Sequence, residues 1–172
     1  MSHLTSDQIA ELIAIDNRCP GIRKEVQELI CQLTSGSKVK NLAQMVALGN
    51  YDYVNEDIVE RNFPTDPVRF TTGGTKVFLL SHEMTTARLK ETMVGNGCEP
   101  GLIESLLAYG AEHPEEQRDH PIVALGSSWV SSNGHRYVPY LYGGRSQRGL
   151  HLDRGGSERR WGTDCRFLAR CK

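Results

Sequence analysis

Pro121–Lys172, PIVALGSSWVSSNGHRYVPYLYGGRSQRGLHLDRGGSERRWGTDCRFLARCK, is the stretch whose reading decides the fold. Turn signals interrupt it at short intervals. Asn133-Gly134 lies between Trp129-Val130 and Tyr137-Val138, the pattern of a hairpin with a two-residue turn. Gly143-Gly144 and Gly155-Gly156 mark further turns. The last run alternates: Cys165, Phe167, Ala169 and Cys171 share one face, and Arg166, Leu168 and Arg170 the other. Short strands joined by close turns predict a β-rich scaffold. Arginines and aromatic residues crowd those turns, and no catalytic constellation stands among them. The pattern favours a binding surface over an enzyme.

Upstream the periodicity becomes helical. Thr5-Ser6-Asp7-Gln8 has the form of a capping box, and Ile9, Leu12 and Ile13 follow at helical spacing. Cys19-Pro20-Gly21 breaks that run. A second helix fits Ile22 to Leu33, and a shorter third fits Val39 to Leu48, stopped by Gly49. Residues 50–75 are rich in Asn, Asp, Pro and Gly and read as a connector. A strand, Lys76 to Leu80, then precedes a helix from Thr85 to Val94. Pro100 suits the first turn of a further helix, whose apolar face is Leu102, Ile103, Leu106, Leu107 and Tyr109, ended by Gly110 and Pro114. Ile122 to Leu125 is a short apolar strand. The expected division is a helical segment over 1–65 and a second domain over 66–172.

The net charge of -1 conceals an asymmetry. Residues 1–134 carry 11 Lys+Arg against 18 Asp+Glu, whereas residues 135–172 carry 9 against 3. A basic end of this kind either meets an anionic partner or is neutralised within the fold. No run of 18 apolar residues occurs, so no membrane span is expected. Met1–Ile15 lacks a basic stretch followed by an uninterrupted apolar one, so no secretory signal is expected. The cysteines are Cys19, Cys31, Cys98, Cys165 and Cys171. Their odd count and the lack of C-x-x-C predict reduced thiols and a cytoplasmic location. Cys165 and Cys171 could still pair with other cysteines in an oxidising setting.

Several motif fragments lead nowhere. Gly73-Gly74-Thr75-Lys76 lacks the spacing of a phosphate loop and precedes a strand rather than following one. His82-Glu83 begins like H-E-x-x-H, but Thr86 stands where the second histidine must be. Gly126-Ser127-Ser128 does not form a nucleophile elbow. No metal or other cofactor is expected. The better signal is the C-terminal set of Tyr140, Tyr142, Arg145, Arg148, His151, Arg154, Arg159, Arg160 and Trp161. Arg, Tyr and Trp supply large contact area at interfaces for modest entropic cost. Trp129, beside an apolar strand, is expected in the core, and Trp161 fits either core or surface.

From Lys76 onward the order of elements resembles the C-type-lectin-like fold, and within it the formylglycine-generating-enzyme-like branch. Cys98-Glu99-Pro100-Gly101-Leu102-Ile103-Glu104-Ser105-Leu106-Leu107-Ala108-Tyr109 looks like that branch's acidic amphipathic helix. Arg154-Gly155-Gly156-Ser157 matches its Arg-Gly-Gly-Ser strand, and Cys165-Arg166-Phe167-Leu168-Ala169-Arg170 is similar to its terminal strand. The whole chain, with Leu48–Asn55 and Pro121–Ser127, also resembles a family of uncharacterised proteins from uncultivated bacteria. With the helical periodicity upstream, the resemblance gives the expected α+β fold: an N-terminal helical segment, then a C-type-lectin-like domain with two helices and short antiparallel strands. It implies no copper site, because Cys165 and Cys171 match no such motif, and no calcium-dependent sugar binding. It does imply loops open to variation, which a retroelement diversifies in some relatives. The turns between Tyr140 and Asp164 are the matching positions.

The expected function is thus a non-enzymatic ligand-binding module with a protein or other macromolecular partner, which could oligomerise through the N-terminal helices. Two alternatives stay open: nucleic-acid binding by the basic surface, and an enzyme with an unrecognised site.

Overall fold

The computed structural model describes residues 41–171. The expected capping box at Thr5, the helix from Ile22 to Leu33, Cys19, Cys31 and any oligomer contact of the N-terminal helices lie outside the described residues. The chain divides between Lys40 and Asn41, so the unit described here includes residues 41–65, which the sequence assigned to the N-terminal segment.

That unit is mixed α and β. Helix α1 (Leu42–Leu48) opens it. Its first turn is satisfied twice, by Asn41 Oδ1 accepting from Gln44 N–H and by Glu60 Oε2 accepting from Leu42 N–H at 2.9 Å. The connector contains a two-residue strand, β1 (Tyr53–Val54), and a 3-10 turn over Pro67–Arg69. Strand β2 (Thr75–Leu79) and the short β3 (Met84–Thr85) lead into α2 (Thr86–Gly95), N-capped by Thr85. Then come β4 (Cys98–Pro100), α3 (Ile103–Glu112) and a single turn, α4 (Glu116–Asp119). The rest is strand: β5 (Ile122–Val123), β6 (Trp129–Val130), β7 (Arg136–Gly143), β8 (Arg148–Arg154), β9 (Arg160–Trp161) and β10 (Arg166–Cys171).

Three local expectations change. Pro100 ends β4 instead of starting α3, and the first N–H of α3, on Ile103, is met by the Ser127 hydroxyl at 2.9 Å. Helix α3 runs through Gly110 to Glu112, because the ring of Tyr51 and the Leu141 side chain occupy the space a Cβ at Gly110 would need. The hairpin at Asn133-Gly134 has a three-residue loop. Ser131 N–H bonds His135 O, Gly134 N–H bonds Ser131 O, and Gly134 takes the positive φ of 79° that a type I turn with a bulge requires.

The main sheet has the order β1-β8-β7-β5-β10-β2, with β4 also on β10 and β6 on β7; β3 and β9 form a separate ladder. The expectation of antiparallel strands holds for most pairs, but β1 with β8 and β5 with β10 are parallel. The first and last long strands, β2 and β10, lie side by side from Arg166 opposite Leu79 to Arg170 opposite Thr75.

Both faces of this sheet are built upon. On one, Ile122, Leu141, Leu150 and Leu168 are buried beneath α3, on which α1 packs. On the other, Val123, Val138, Phe167 and Ala169 join Leu89 and Met93 of α2, together with Leu80 and Trp161. Central strands buried on two sides read as nearly continuous apolar runs. Leu168 is accordingly buried, although alternation assigns it to the arginine face.

Cys98 and Cys171 are joined in a disulfide, contrary to the expectation of reduced thiols. They are opposite each other in the β4–β10 register. The odd count excluded only complete pairing, and a separation of 73 residues hid the match. A loop of that length corresponds to about 4 kcal/mol by the chain-entropy argument. Such a bond belongs to oxidising surroundings, so thiol chemistry no longer argues for the cytoplasm. Among the described residues no helix is long and apolar enough to cross a membrane.

Candidate functional site

Strands β7 and β8 pair over their whole length, from Tyr137 opposite Arg154 to Gly143 opposite Arg148. Their period of two divides the side chains cleanly. Pro139, Leu141, Leu150 and Leu152 point to the covered face and are buried. Tyr140, Tyr142 and His151 point the other way and stay partly exposed, with Tyr140 packed against the edge of the core that α2 covers. Strand β1 adds Tyr53, which is 48% exposed and opposite Gly149.

These four rings form one cluster with His151 at its centre. The His151 centroid lies 5.5 Å from Tyr53, 5.9 Å from Tyr140 and 6.1 Å from Tyr142. Tyr140 and Tyr142 are 5.7 Å apart. Gly149 makes this arrangement possible, since a Cβ there would collide with the Tyr142 ring. The Leu152 N–H donates to His151 Nδ1 at 2.7 Å. Two residues on, Asp153 Oδ1 accepts the Arg154 N–H at 2.7 Å. Strand β1 pairs only with Gly149 and Leu150. These two side chains therefore blunt the open edge of β8 against stray strand pairing.

Polar groups rim the cluster. Asp153 pairs with Arg159 at 3.0 Å, and the Arg159 guanidinium lies 4.9 Å over the Trp161 ring. Burial, and then the Asp153 carboxylate, push the Tyr140 phenol above its ordinary value, so it remains a hydrogen-bond donor at neutral pH. Burial, followed by Asp164, pushes the Cys165 thiol up to about 11. The thiolate is the nucleophilic form, so this cysteine is a poor nucleophile at neutral pH.

The nine residues expected on one surface separate into three groups. Tyr140, Tyr142 and His151 come together as described. Arg145, Arg154, Arg159 and Arg160 are exposed, with Arg160 bound to Glu83 at 3.2 Å. Arg148 and Trp161 are buried, which corrects their assignment to a ligand face. Trp161 is 2% exposed, donates its indole N–H to the Thr86 hydroxyl at 2.8 Å and meets Phe167 edge-on. Its neighbours Arg160 and Gly162 gave no sign of this, because the β3–β9 ladder that turns it inward is a long-range pairing.

Arg148 is a structural clasp. Its guanidinium donates to Gly49 O and Gly110 O, each at 2.7 Å, and to Gln117 Oε1 at 2.9 Å. It also sits 5.2 Å from the Tyr51 ring. One side chain thus ties α1's end, α3 and α4 to the start of β8. Burial lowers its pKa and raises that of Tyr51. Trp129, expected in the core, is only half-buried, 5.9 Å from Tyr137 on the hairpin.

Sequence reasoning missed Tyr53 and Asp153. Tyr53 lies in a connector without periodicity, and only the parallel pairing of β1 brings it to His151. Asp153 was one acid in a basic stretch. Among the described residues no group of three or more His, Cys, Asp or Glu is placed to hold a metal ion. No family model, curated protein or solved structure matches the chain.

Proposed function

We propose that the protein is a ligand-binding module and that the ring cluster of Tyr53, Tyr140, Tyr142 and His151 is its contact surface. The observation that carries this reading is one of economy in the fold. Three strands bring four rings together at the surface, while the alternate residues of β7 and β8 supply the core. Tyrosines that are held rigidly, half-exposed and tipped with a hydroxyl are the residue type that anchors protein interfaces. The scaffold is the C-type-lectin-like one. Support comes from the strand-then-two-helices order, closed by β2 pairing with β10. On that reading, the turns around the cluster are where a retroelement would place variation.

The arginine pattern favours this over nucleic-acid binding. Arg159 and Arg160 are paired with carboxylates and Arg148 is buried, so three of the C-terminal arginines are withdrawn from an open basic surface. The poor nucleophilicity of Cys165 supports a non-enzymatic reading.

The test is partner capture with the wild type and a Tyr140→Ala/Tyr142→Ala/His151→Ala variant, each with and without nuclease. The reading predicts a protein partner retained after nuclease and lost in a variant that melts within a few degrees of wild type. A partner captured equally by both proteins contradicts the surface. A partner released by nuclease contradicts the class of ligand.

A further inference from the structure

A second feature lies at the other end of β7 and β8. The β6–β7 hairpin and the loop after β8 enclose an open cleft lined by Gly134, His135, Arg136, Arg154, Gly156, Ser157, Glu158 and Arg159. Arg136, Arg154 and Arg159 line it, from two strands and a loop, with Glu158 the one acidic residue of the lining and the Asp153 carboxylate bound to Arg159 beside it. Arg159 is held in place by Asp153 at 3.0 Å, by the Arg160 carbonyl at 2.8 Å and by the Trp161 ring. Arg136 donates to a neutral acceptor, the Ser128 hydroxyl, at 2.7 Å. Behind it, Lys90 of α2 is half-buried, and its pKa is lowered first by that burial and then by Arg136. The fold therefore holds like charges together where repulsion opposes folding.

We infer that this cleft is a binding site for a tetrahedral oxyanion, a phosphoryl or sulfate group carried by the ligand. The chemistry follows from the donor set. Guanidinium forks match two oxygens at a time. Arginines that approach from separate elements can each take a different edge of a tetrahedral group. A carboxylate offers one such edge and leaves the other forks unmet. Ser157 and His135 also line the cleft. The inference goes beyond the ring cluster and does not rest on it.

The experiment is a two-dimensional amide NMR titration with inorganic phosphate, sulfate, acetate and a ten-nucleotide oligo-dT, at constant ionic strength set with chloride. Phosphate and sulfate are expected to shift residues 134–136 and 154–159 in a saturable manner, with acetate binding markedly more weakly. Phosphate against sulfate affinity then tells which group the cleft prefers. Arg136→Gln and Arg154→Gln should each weaken binding about tenfold, the loss expected for a charge-assisted hydrogen bond. Arg145→Gln, outside the cleft, and Tyr142→Ala, on the ring cluster, should leave it unchanged. Failure of Tyr142→Ala to lose the protein partner would sink the ring-cluster reading alone. Absence of saturation, equal response to acetate, or equal loss in Arg145→Gln would overturn the oxyanion site. Oligonucleotide binding far tighter than phosphate, with losses spread over Arg145 and Arg170, would also overturn it in favour of a nucleic-acid surface.

Discussion

The two faces of the β7–β8 ribbon are made from alternate residues of the same fifteen-odd positions, yet they are held to different standards. On one face Leu141, Leu150 and Leu152 are buried, and even the charged Arg148 is drawn in, its two terminal nitrogens donating to two carbonyls and an amide. On the other face Tyr140, Tyr142 and His151 touch each other and water. Residue type alone does not separate stability from recognition here. An arginine and a tryptophan, the two residues most readily assigned to an interface, serve the core. The difference lies in which elements arrive from elsewhere in the chain to cover a face.

Arg148→Ala should break the covered face most severely. It removes the shared donor of Gly49, Gly110 and Gln117 and leaves their buried acceptors unmet, each a loss of about 1–3 kcal/mol, read as a large fall in the thermal or urea midpoint. A loss within experimental error would show that the clasp is dispensable. Gly149→Ala sharpens the comparison, because its one methyl group is directed at the open face. Overpacking against Tyr142 should cost about 1–3 kcal/mol and displace that ring, so partner binding falls with stability. Binding that survives the substitution would contradict the geometry of the cluster.

The smallest effect is a pH dependence at the cap of α1. Burial would raise the Glu60 carboxyl, but the hydrogen bonds it accepts from Thr65 N–H, Leu42 N–H and the Thr65 hydroxyl outweigh burial and hold it below the usual carboxylate range. A depressed carboxylate contributes stability above its unfolded pKa and loses it as pH falls through the folded value. Glu60→Gln should therefore melt lower than wild type at pH 7, with the gap closing in the acid range below about pH 4. A gap independent of pH would mean that the charge on Glu60 has no part in holding α1.

Much of the fold was legible because local rules were obeyed. Thr85 ahead of α2, Gly49 behind α1 and the alternation of β10 are signals carried by neighbours in sequence. What escaped depends on long-range pairing. The Cys98–Cys171 bond needs β4 beside β10, the burial of Trp161 needs β3 beside β9, and Tyr53 reaches His151 only through β1. Of the candidate site, Tyr140 and Tyr142 could be found from alternation along β7, and His151 from alternation along β8. Arg148 could not, since the acceptors that draw it inward are 31 to 99 residues away.

The most direct measurement is a paired reading of melting temperature and partner binding on two single variants, Arg148→Ala and Tyr142→Ala. The account predicts opposite outcomes from two residues expected to share one surface: Arg148→Ala loses stability, whereas Tyr142→Ala keeps it and loses the partner. If Tyr142→Ala unfolds the protein while Arg148→Ala merely abolishes binding, the assignment of the two faces is wrong.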